Sequence, residues 1–328
     1  MGTSIAEILE PEETSLEAFS GKIVAVDAYN TLYQFLSIIR QPDGTPLKDS
    51  LGRTTSHLSG LIYRTTNLME KGIKLVFVFD CKPSKLKAEV IKVRSERREV
   101  ARRKWEEAEV PEEALKYAKA SAKVDAAIVE ESKTLLTYMG IPHVQALSEG
   151  EAQAAYIVIK GDAELVSSQD YDSLLFGAPL VIRNLSAPRK KARIEVLNLK
   201  QFEEKQGISR EELVDLAILV GTDFNEGIKG IGAKTALKLI KKYHSIEKLI
   251  AESKIDKAAG IENYELVRDI FLHPAVTESY EIKWGAPDPV KVKEFLCVEH
   301  DFAEERVSKA LERISMPKVK QGSIGQWL

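Results

Sequence analysis

Cysteine is scarce in this chain of 328 residues, which contains only Cys81 and Cys297. Two cysteines so far apart exclude a disulfide scaffold and argue against a cysteine-based metal site. No apolar run is long enough to cross a bilayer, and the first residues have neither the basic nor the apolar segment of a secretory signal. We therefore expect a cytoplasmic protein without a membrane anchor.

The chain also lacks a surplus of positive charge. It has 47 Lys and Arg residues and 50 Asp and Glu residues, which gives a net charge of −3. This balance excludes a uniformly basic nucleic-acid-binding surface but not local basic patches. Hydrophobic residues make up 44% of the chain, which is typical of a globular protein with a large core. The sequence has no internal repeat and no low-complexity tract.

Five short apolar runs predict buried parallel strands. Segments with helical spacing separate them, and this alternation is typical of an α/β sheet with helices on both faces. The predicted strands are residues 22–26, 75–79, 143–147, 164–167 and 179–182. From about Glu211 the chain is predicted to be mostly helical. Helical spacing covers residues 199–220, 233–242, 246–252 and 302–314.

Seven carboxylates stand at the ends of apolar elements. In open α/β sheets the functional crevice lies beyond the carboxyl ends of the strands, so these acids are expected to meet there. Clustered carboxylates repel one another, and a site made only of oxygen ligands suits Mg²⁺ or Mn²⁺. Two such ions, about 4 Å apart, can hydrolyse a phosphodiester. The seven acids are Asp27, Asp80, Glu149, Glu151, Asp170, Asp172 and Asp223.

Two other interpretations of these acids were weighed. A single acid at a helix start is more often a cap than a metal ligand. Phosphatases of the haloacid-dehalogenase type also carry a DxD motif, but there it follows the first strand and supplies a nucleophile. Here the motif Asp170-Tyr171-Asp172 lies in mid-chain, after the fourth predicted strand, which disfavours a phosphatase.

Two segments carry one-sided positive charge. Residues 85–104 contain nine Lys or Arg and three Glu, and Lys87 and Arg94 lie seven residues apart, on one helix face. Residues 228–236, IKGIGAKTA, have the Gly-x-Gly turn of a helix–hairpin–helix motif, in which the backbone approaches a phosphate. Five lysines and no carboxylate follow between Glu226 and Glu247. Plain solvated helices are the alternative interpretation of both segments.

The chain ends in QGSIGQWL, which places an aromatic and two aliphatic residues at regular spacing. An aromatic anchor at a terminus suggests a docking peptide. The alternative is a tail that folds back on its own domain. The candidate docking residues are Gln321, Ile324, Trp327 and Leu328.

Taken in order, several motifs resemble the structure-specific 5′ nucleases, and among them the archaeal flap endonucleases. They are DAYNTLYQFL, TSHLSG, VFVFDCKP, EGEAQAAY, SSQDYDSLLFG and GTDFNEGIKGIG. The resemblance covers nearly the whole chain. It implies an α/β fold with a mostly parallel, Rossmann-like (PIN-like) sheet, a helical arch and a helix–hairpin–helix motif.

The resemblance also implies one nuclease domain over residues 1–314 and a tail over 317–328. The domain would comprise an N-terminal portion 1–104, an internal portion 115–260 with the hairpin at 224–242, and a helical portion 261–314. The tail would bind the sliding clamp PCNA, and the protein itself would be a monomer.

Residue roles are implied as well. Lys87 and Arg94 would touch the scissile phosphate, Tyr33 would stack on a base, and Arg40 would contact DNA. Two Mg²⁺ ions, for which Mn²⁺ can substitute, would be held by two groups of acids. The first group is Asp27, Asp80, Glu149 and Glu151, and the second is Asp170, Asp172 and Asp223. The duplex would be gripped by Gly230, Gly232, Lys234 and Lys238.

The implied activity is removal of 5′ flaps from branched DNA in replication and repair, with 5′–3′ exonuclease action on nicked or gapped duplex. Two alternatives stay open: a non-catalytic, clamp-associated protein that binds DNA junctions, and a metal-dependent nuclease that is indifferent to branching. Two departures from the family pattern are Cys81, where Gly is usual, and the Trp-Leu terminus, where an aromatic pair is common.

Overall fold

The computed structural model describes residues 3–81, 87–107, 111–186, 193–256 and 260–315. Within these ranges seven strands form one sheet in the order β1-β7-β6-β5-β2-β3-β4. The strands are Glu12–Thr14 (β1), Ile23–Asp27 (β2), Lys74–Phe79 (β3), His143–Gln145 (β4), Leu165–Ser167 (β5), Leu180–Arg183 (β6) and Ile194–Asn198 (β7). Strands β2 to β6 are mutually parallel, whereas β7 and β1 add antiparallel strands at one edge.

Helices cover both faces of this sheet. The helices in the first half of the chain are Ala28–Ile38 (α1), Ser56–Gly60 (α2), Thr66–Glu70 (α3), Lys87–Glu106 (α4), Pro111–Ala120 (α5), Ala126–Tyr138 (α6), Gly150–Ile159 (α7) and Asp172–Leu175 (α8). Those in the second half are Leu199–Gln206 (α9), Arg210–Val220 (α10), Ala233–Tyr243 (α11), Ile246–Ala251 (α12), Tyr264–Leu272 (α13), Pro289–Lys293 (α14) and Glu304–Ser315 (α15). Two wide turns of π-helix, Leu61–Thr65 and Glu294–Glu299, connect neighbouring helices.

Alternate residues of the central strands enter two different cores. Ala25 and Val76 pack in one core with α7 and α10, whereas Val24, Val26 and Phe77 pack in the other with α1 and α6. Because successive strand residues point to opposite faces, both faces of the sheet are buried. This arrangement confirms the predicted mostly parallel sheet with helices on both faces.

The predicted elements need two corrections. Strands β1 and β7 were not predicted. The helical pattern over 199–220 is two helices, because Gly207 ends α9 in a left-handed conformation (φ 65°) and Ser209 starts α10 with a capping box. The region after Glu211 is mostly helical, as predicted, with residues 274–288 running without a helix between α13 and α14.

The order of the strands creates a switch point between β2 and β5. The chain passes from β2 to β3 and β4 on one side, and later to β5 and β6 on the other side. Ligands of open α/β sheets bind in the crevice at such a point, beyond the carboxyl ends of the strands. Asp27 ends β2 and Asp170 follows β5, so these two acids border that crevice.

The basic segment forms the long helix α4, which starts beside the crevice at Lys87. Helix α5 packs against α4 and also contacts α1. Near the far end of α4, Trp105 faces the guanidinium of Arg40, 5.8 Å from the centre of the ring. No helix in the described ranges is long and apolar enough to cross a membrane.

Candidate active site

A cavity of about 310 Å³ lies at the carboxyl edge of the sheet. Six of the seven predicted acids line it, namely Asp27, Asp80, Glu149, Glu151, Asp170 and Asp223. The seventh, Asp172, begins α8 and is 3% exposed. The backbone N–H of Thr3, near the start of the chain, donates a hydrogen bond to Asp172 Oδ1 at 2.9 Å.

Strand ends and helix starts position the first two acids. Asp27 is the N-cap of α1, and its Oδ1 accepts a hydrogen bond from the backbone N–H of Asn30 at 3.0 Å. Asp80 follows β3, and its Oδ1 accepts the N–H of Gly150 at 2.6 Å, at the start of α7. A Cβ at Gly150 would lie 2.3 Å from that oxygen, so the absent side chain allows the approach. Both acids thus cap helices, and both also line the cavity.

Two serine hydroxyls connect the buried carboxylates. The Ser168 hydroxyl lies 3.1 Å from Asp27 Oδ2 and 2.9 Å from Glu151 Oε1, and the Ser173 hydroxyl donates to the same Oε1 at 3.0 Å. A hydroxyl has one proton to donate. The Ser168 hydroxyl can therefore donate a hydrogen bond to only one of these two carboxylates at a time. This arrangement favours a proton on the other carboxylate.

Burial and mutual repulsion raise the pKa values of the acids. Burial is the larger cause in each case, and neighbouring carboxylates add to it. The pKa of Asp27 is raised to about 8, and those of Asp80 and Asp172 to about 6. The pKa of Glu151 is raised well above its ordinary value. These acids therefore hold their protons more readily than free carboxyls do, and a cation at the centre would favour their ionised form.

Lys87, the first residue of α4, supplies one cation. Its amine donates a hydrogen bond to Glu149 Oε2, lies 3.7 Å from Asp223 Oδ2, and stands 5.0 Å from the centre of the Phe224 ring. Burial opposes the charge on this amine, but the carboxylates of Glu149 and Asp223 raise the pKa of Lys87. The basic helix is thereby attached to the acidic cavity through its first residue.

The donor chemistry of the cavity fits Mg²⁺ or Mn²⁺, which prefer carboxylate oxygens. Among the residues that the structure describes, however, no group of three or more His, Cys, Asp or Glu side chains is arranged so that it could hold a metal ion. Lys87 and the hydroxyls of Ser168 and Ser173 hydrogen-bond to these acids.

Other predicted and unpredicted residues line the same cavity. Tyr33 of α1 forms part of its wall. Arg98 of α4 also lines it, three helical turns after Lys87. The side chain of Arg94, between them, lies outside the described part of the chain. Arg98 was not predicted, although its spacing of four from Arg94 places it on the same helix face.

Arg40 does not line the cavity. Its Nε donates to the carbonyl of Leu36 and its Nη1 to the carbonyl of Gly44, both at 2.8 Å. The side chain is half-buried, and burial lowers the pKa of its guanidinium. Arg40 therefore orders the loop after α1, and its contact with DNA stays a prediction.

The glycine hairpin lies before α11, away from the acids. Gly230 has a φ of +88°, and Gly232 is the N-cap of α11. A Cβ on either glycine would meet no atom within 4 Å, so the backbone here is open to an approaching group. Lys234 and Lys238 are exposed on α11, and the amine of Lys234 lies 3.6 Å from Glu7 Oε2.

Several residues around the acids were missed by sequence reasoning. Asn30, Ser168 and Ser173 hydrogen-bond to the predicted acids and stand within three residues of one of them, which is the signal that could have found them. Cys81 is exposed and lines the cavity. The predicted clamp-binding residues lie outside the described residues; they are Gln321, Ile324, Trp327 and Leu328.

Known proteins share both the sequence and the fold. The chain matches the XPG N-terminal domain over residues 1–101 and the XPG I-region over residues 140–223. Flap endonuclease 1 of Methanocella arvoryzae is 52% identical and that of Archaeoglobus fulgidus 50% identical, and both alignments cover 100% of each chain.

Solved structures agree with these sequence relatives. Flap endonuclease-1 from Methanococcus jannaschii is 39% identical, with a TM-score of 0.78 over 96% of this chain and 98% of that chain. The Holliday junction-resolving enzyme GEN1, solved with product DNA, Mg²⁺ and Mn²⁺, shares the fold at 19% identity, with a TM-score of 0.62 over 93% of this chain and 74% of that chain. The resemblance noted in the motifs is thus confirmed, and the chain belongs to the flap endonuclease 1 family of structure-specific nucleases.

Proposed function

We propose that this nuclease cuts a phosphodiester bond where a 5′ single-stranded flap joins duplex DNA, and that it acts as a 5′–3′ exonuclease on nicked or gapped duplex. The observation that carries the proposal is the cavity at the carboxyl edge of the sheet, which six carboxylates line and Lys87 enters. In the cell, the same reaction would serve Okazaki-fragment processing and DNA repair.

Two Mg²⁺ ions would occupy the acidic cavity, with Mn²⁺ as a substitute. Asp27, Asp80, Glu149 and Glu151 would hold the first ion, and Asp170, Asp172 and Asp223 would hold the second. When bound, such ions generate a hydroxide and stabilise the charge on the attacking and leaving oxygens. Lys87 and Ser168, which hydrogen-bond to acids of this set, would help to orient them.

The chain's own cations would act on the phosphate. Lys87 already stands at the cavity, and an amine placed there stabilises the negative charge that builds up on the phosphoryl oxygens. Arg94 follows two turns later on α4. Tyr33 would stack on a base beside the cleaved bond, and such stacking contributes about 1–3 kcal/mol without reading the sequence.

The glycine hairpin would grip the duplex. Gly230 and Gly232 leave the backbone open for a phosphate, and Lys234 and Lys238 add exposed positive charge on α11. Contacts of this kind are independent of sequence and weaken with salt. Arg40 would contact DNA near the end of α1. Changing both Lys234 and Lys238 to Ala should lower the slope of log binding constant against log salt by about 2.

We propose the same domain organisation as the sequence predicted, with one nuclease domain over residues 1–314 and a tail over 317–328. The portions are 1–104, 115–260 and 261–314, with the hairpin at 224–242. The tail would dock on the sliding clamp PCNA. The enzyme itself would be a monomer, and it would act in the cytoplasm on nucleoid DNA. A Trp327→Ala variant should lose binding to the clamp and keep full cutting of free flap DNA.

The direct test uses flap DNA labelled at its 5′ end, with Mg²⁺ or with EDTA, beside Asp172→Ala. We expect a Mg²⁺-dependent product cut at the junction or about one nucleotide inside it. That product should be absent with EDTA and with the variant. Equal rates on flap, single strand and RNA would favour a nuclease indifferent to branching, and tight binding without cutting would favour a binding protein.

A further inference from the structure

Asn30 stands at the switch point and hydrogen-bonds to residues on both of its sides, through its backbone N–H on one side and its side-chain amide on the other. Its backbone N–H donates to Asp27 Oδ1 at 3.0 Å, on the β2 side. Its Nδ2 donates to Asp170 Oδ2 at 2.9 Å, and its Oδ1 accepts the N–H of Gln169 at 3.2 Å, on the β5 side. Asn30 also lines the cavity between them.

The orientation of this amide follows from its partners. The N–H of Gln169 can only donate, so the atom that faces it must be the amide oxygen. The amide nitrogen then faces Asp170, which is the pairing that an ionised carboxylate requires. Both side-chain bonds reach residues about 140 positions away along the sequence, so they fix tertiary structure and not the local turn.

The position of Asn30 gives these bonds their importance. The ladder between β2 and β5 ends at the pair Val26 and Ser167. Asp27 and Asp170 lie just past that point, one in each of the two proposed groups of metal ligands. Beyond the last ladder pair, the Asn30 amide and the Ser168 hydroxyl, which lies 3.1 Å from Asp27 Oδ2, connect the two sides.

We infer that Asn30 is a positioning residue that sets the distance and orientation between the two metal-binding groups. The inference rests on the proposed metal-binding role of these acids. An amide suits the task because it orients Asp170 by hydrogen bonding and leaves the carboxylate its full charge. A Lys or Arg at this place would neutralise Asp170 and compete with the metal ion.

The test compares Asn30→Leu with Gln34→Leu in the full chain. Leu keeps the approximate size of the side chain and removes both amide bonds. Gln34 is a matched control, because it lies one turn later on α1 and accepts one hydrogen bond, from Ser186 at 2.7 Å, outside the cavity. The smaller Asn30→Ala removes the same bonds without new bulk, and it replaces Asn30→Leu if that variant does not fold.

The readout is Mn²⁺ binding without DNA, followed by the electron paramagnetic resonance signal of free Mn²⁺. We expect two ions on the wild type and on Gln34→Leu. On the Asn30 variant the affinity for at least one ion should fall by about tenfold or more, as is usual when a group that orients a ligand is lost. The Mg²⁺ concentration for half-maximal flap cutting should rise by a similar factor.

The outcomes separate this inference from the proposed metal centre. A folded Asn30 variant that binds two Mn²⁺ ions with wild-type affinity overturns the positioning role. Wild-type protein that binds no Mn²⁺ overturns the metal centre itself. A variant that loses only thermal stability, with unchanged Mn²⁺ and Mg²⁺ titrations, shows that Asn30 acts only on the start of α1 and also overturns the inference.

Discussion

The amine of Lys87 lies 3.7 Å from the carboxylate of Asp223, although α4 and the end of α10 are far apart in sequence. The same amine donates to Glu149, so one lysine touches acids from both proposed metal-binding groups. The basic helix α4 thus neutralises part of the acidic cavity through its first residue. A metal ion that enters the cavity must compete with this amine.

Replacing Lys87 by Gln should therefore have two opposite effects. Mg²⁺ binding without DNA should become tighter, because the competing ammonium is gone. Flap cutting at saturating Mg²⁺ should fall by about 10²–10³, which is typical when a group that stabilises transition-state charge is removed. Isothermal titration with Mg²⁺ and single-turnover cutting measure the two effects.

Lys92→Gln is the control, since Lys92 is exposed on the same helix. It should leave both quantities close to those of the wild type. If Lys87→Gln weakens Mg²⁺ binding, the amine does not compete with the ion, and if cutting is unchanged, the amine has no catalytic role.

Asp172→Asn should abolish cutting and stabilise the metal-free protein. The buried carboxylate is costly to ionise, since burial and the charge of Asp223 raise the pKa of Asp172 to about 6. A neutral amide of the same shape removes this cost, on the order of 3 kcal/mol, because each unit of pKa corresponds to about 1.4 kcal/mol. Thermal unfolding in EDTA and in Mg²⁺ provides the measurement.

The wild type should gain stability from Mg²⁺ by mass action, and Asp172→Asn should gain less. The folded variant should still bind flap DNA. A variant that is folded but binds no DNA would contradict the role assigned to Asp172, because that role is limited to the metal.

The sequence predicts the parallel part of the sheet well because its strands are short, apolar and buried on both faces. Strand β1 escapes prediction for a physical reason. Its residues Glu12 and Glu13 are exposed. The strand pairs with β7, which lies about 180 positions later in the chain, so no local sequence pattern reveals the pairing. The break at Gly207 was visible as a glycine, but the apolar periodicity on both sides of it suggested one helix.

The acids were predictable because each one stands at the end of an apolar element. The hydrogen bonds that support these acids were not predictable, because Asn30 and Ser168 contact acids that are far away in the sequence. Arg40 shows the converse. The family resemblance implied DNA binding by Arg40, and in the structure its donors are directed at the carbonyls of Leu36 and Gly44.

Gly60→Ala should destabilise the enzyme, although Ala is the better helix former. An added Cβ at Gly60 would lie 2.2 Å from Cγ of Phe35, a ring that is 3% exposed in the core. The gain in helix propensity is about 1 kcal/mol, whereas forcing a methyl group into a packed core costs about 1–3 kcal/mol or more. Urea unfolding in EDTA should show a lower midpoint.

Gly232→Ala serves as the comparison, because its Cβ would enter open space. Its effect on stability should stay within about 0.5 kcal/mol. Adding Phe35→Leu to Gly60→Ala should recover part of the loss if the ring is the obstacle. Equal midpoints for Gly60→Ala and the wild type would show that the core makes room without cost.

Arg268 of α13 joins α10 to α12 through ion pairs with Asp215 and Glu247. It donates from Nε and Nη2 to Asp215 at 2.6 and 2.8 Å, and from Nη1 to Glu247 at 2.6 Å. The hydrogen bond from Arg268 lowers the pKa of Glu247 from 4.5 to about 2. Burial raises the pKa of Asp215 in spite of the same guanidinium. The two carboxylates therefore affect stability with opposite signs as pH changes.

Glu247→Gln should lower stability at neutral pH by an amount that shrinks in acid. Because the pKa of Glu247 is lower in the folded state, its contribution is complete above about pH 4.5 and is lost as the pH falls towards about 2. Urea midpoints of the variant and the wild type, compared in EDTA across this range, should converge. Glu252→Gln, an exposed change at the end of the same helix, is the control and should change the urea midpoint only slightly. A constant gap for Glu247→Gln down to pH 3 would refute the lowered pKa.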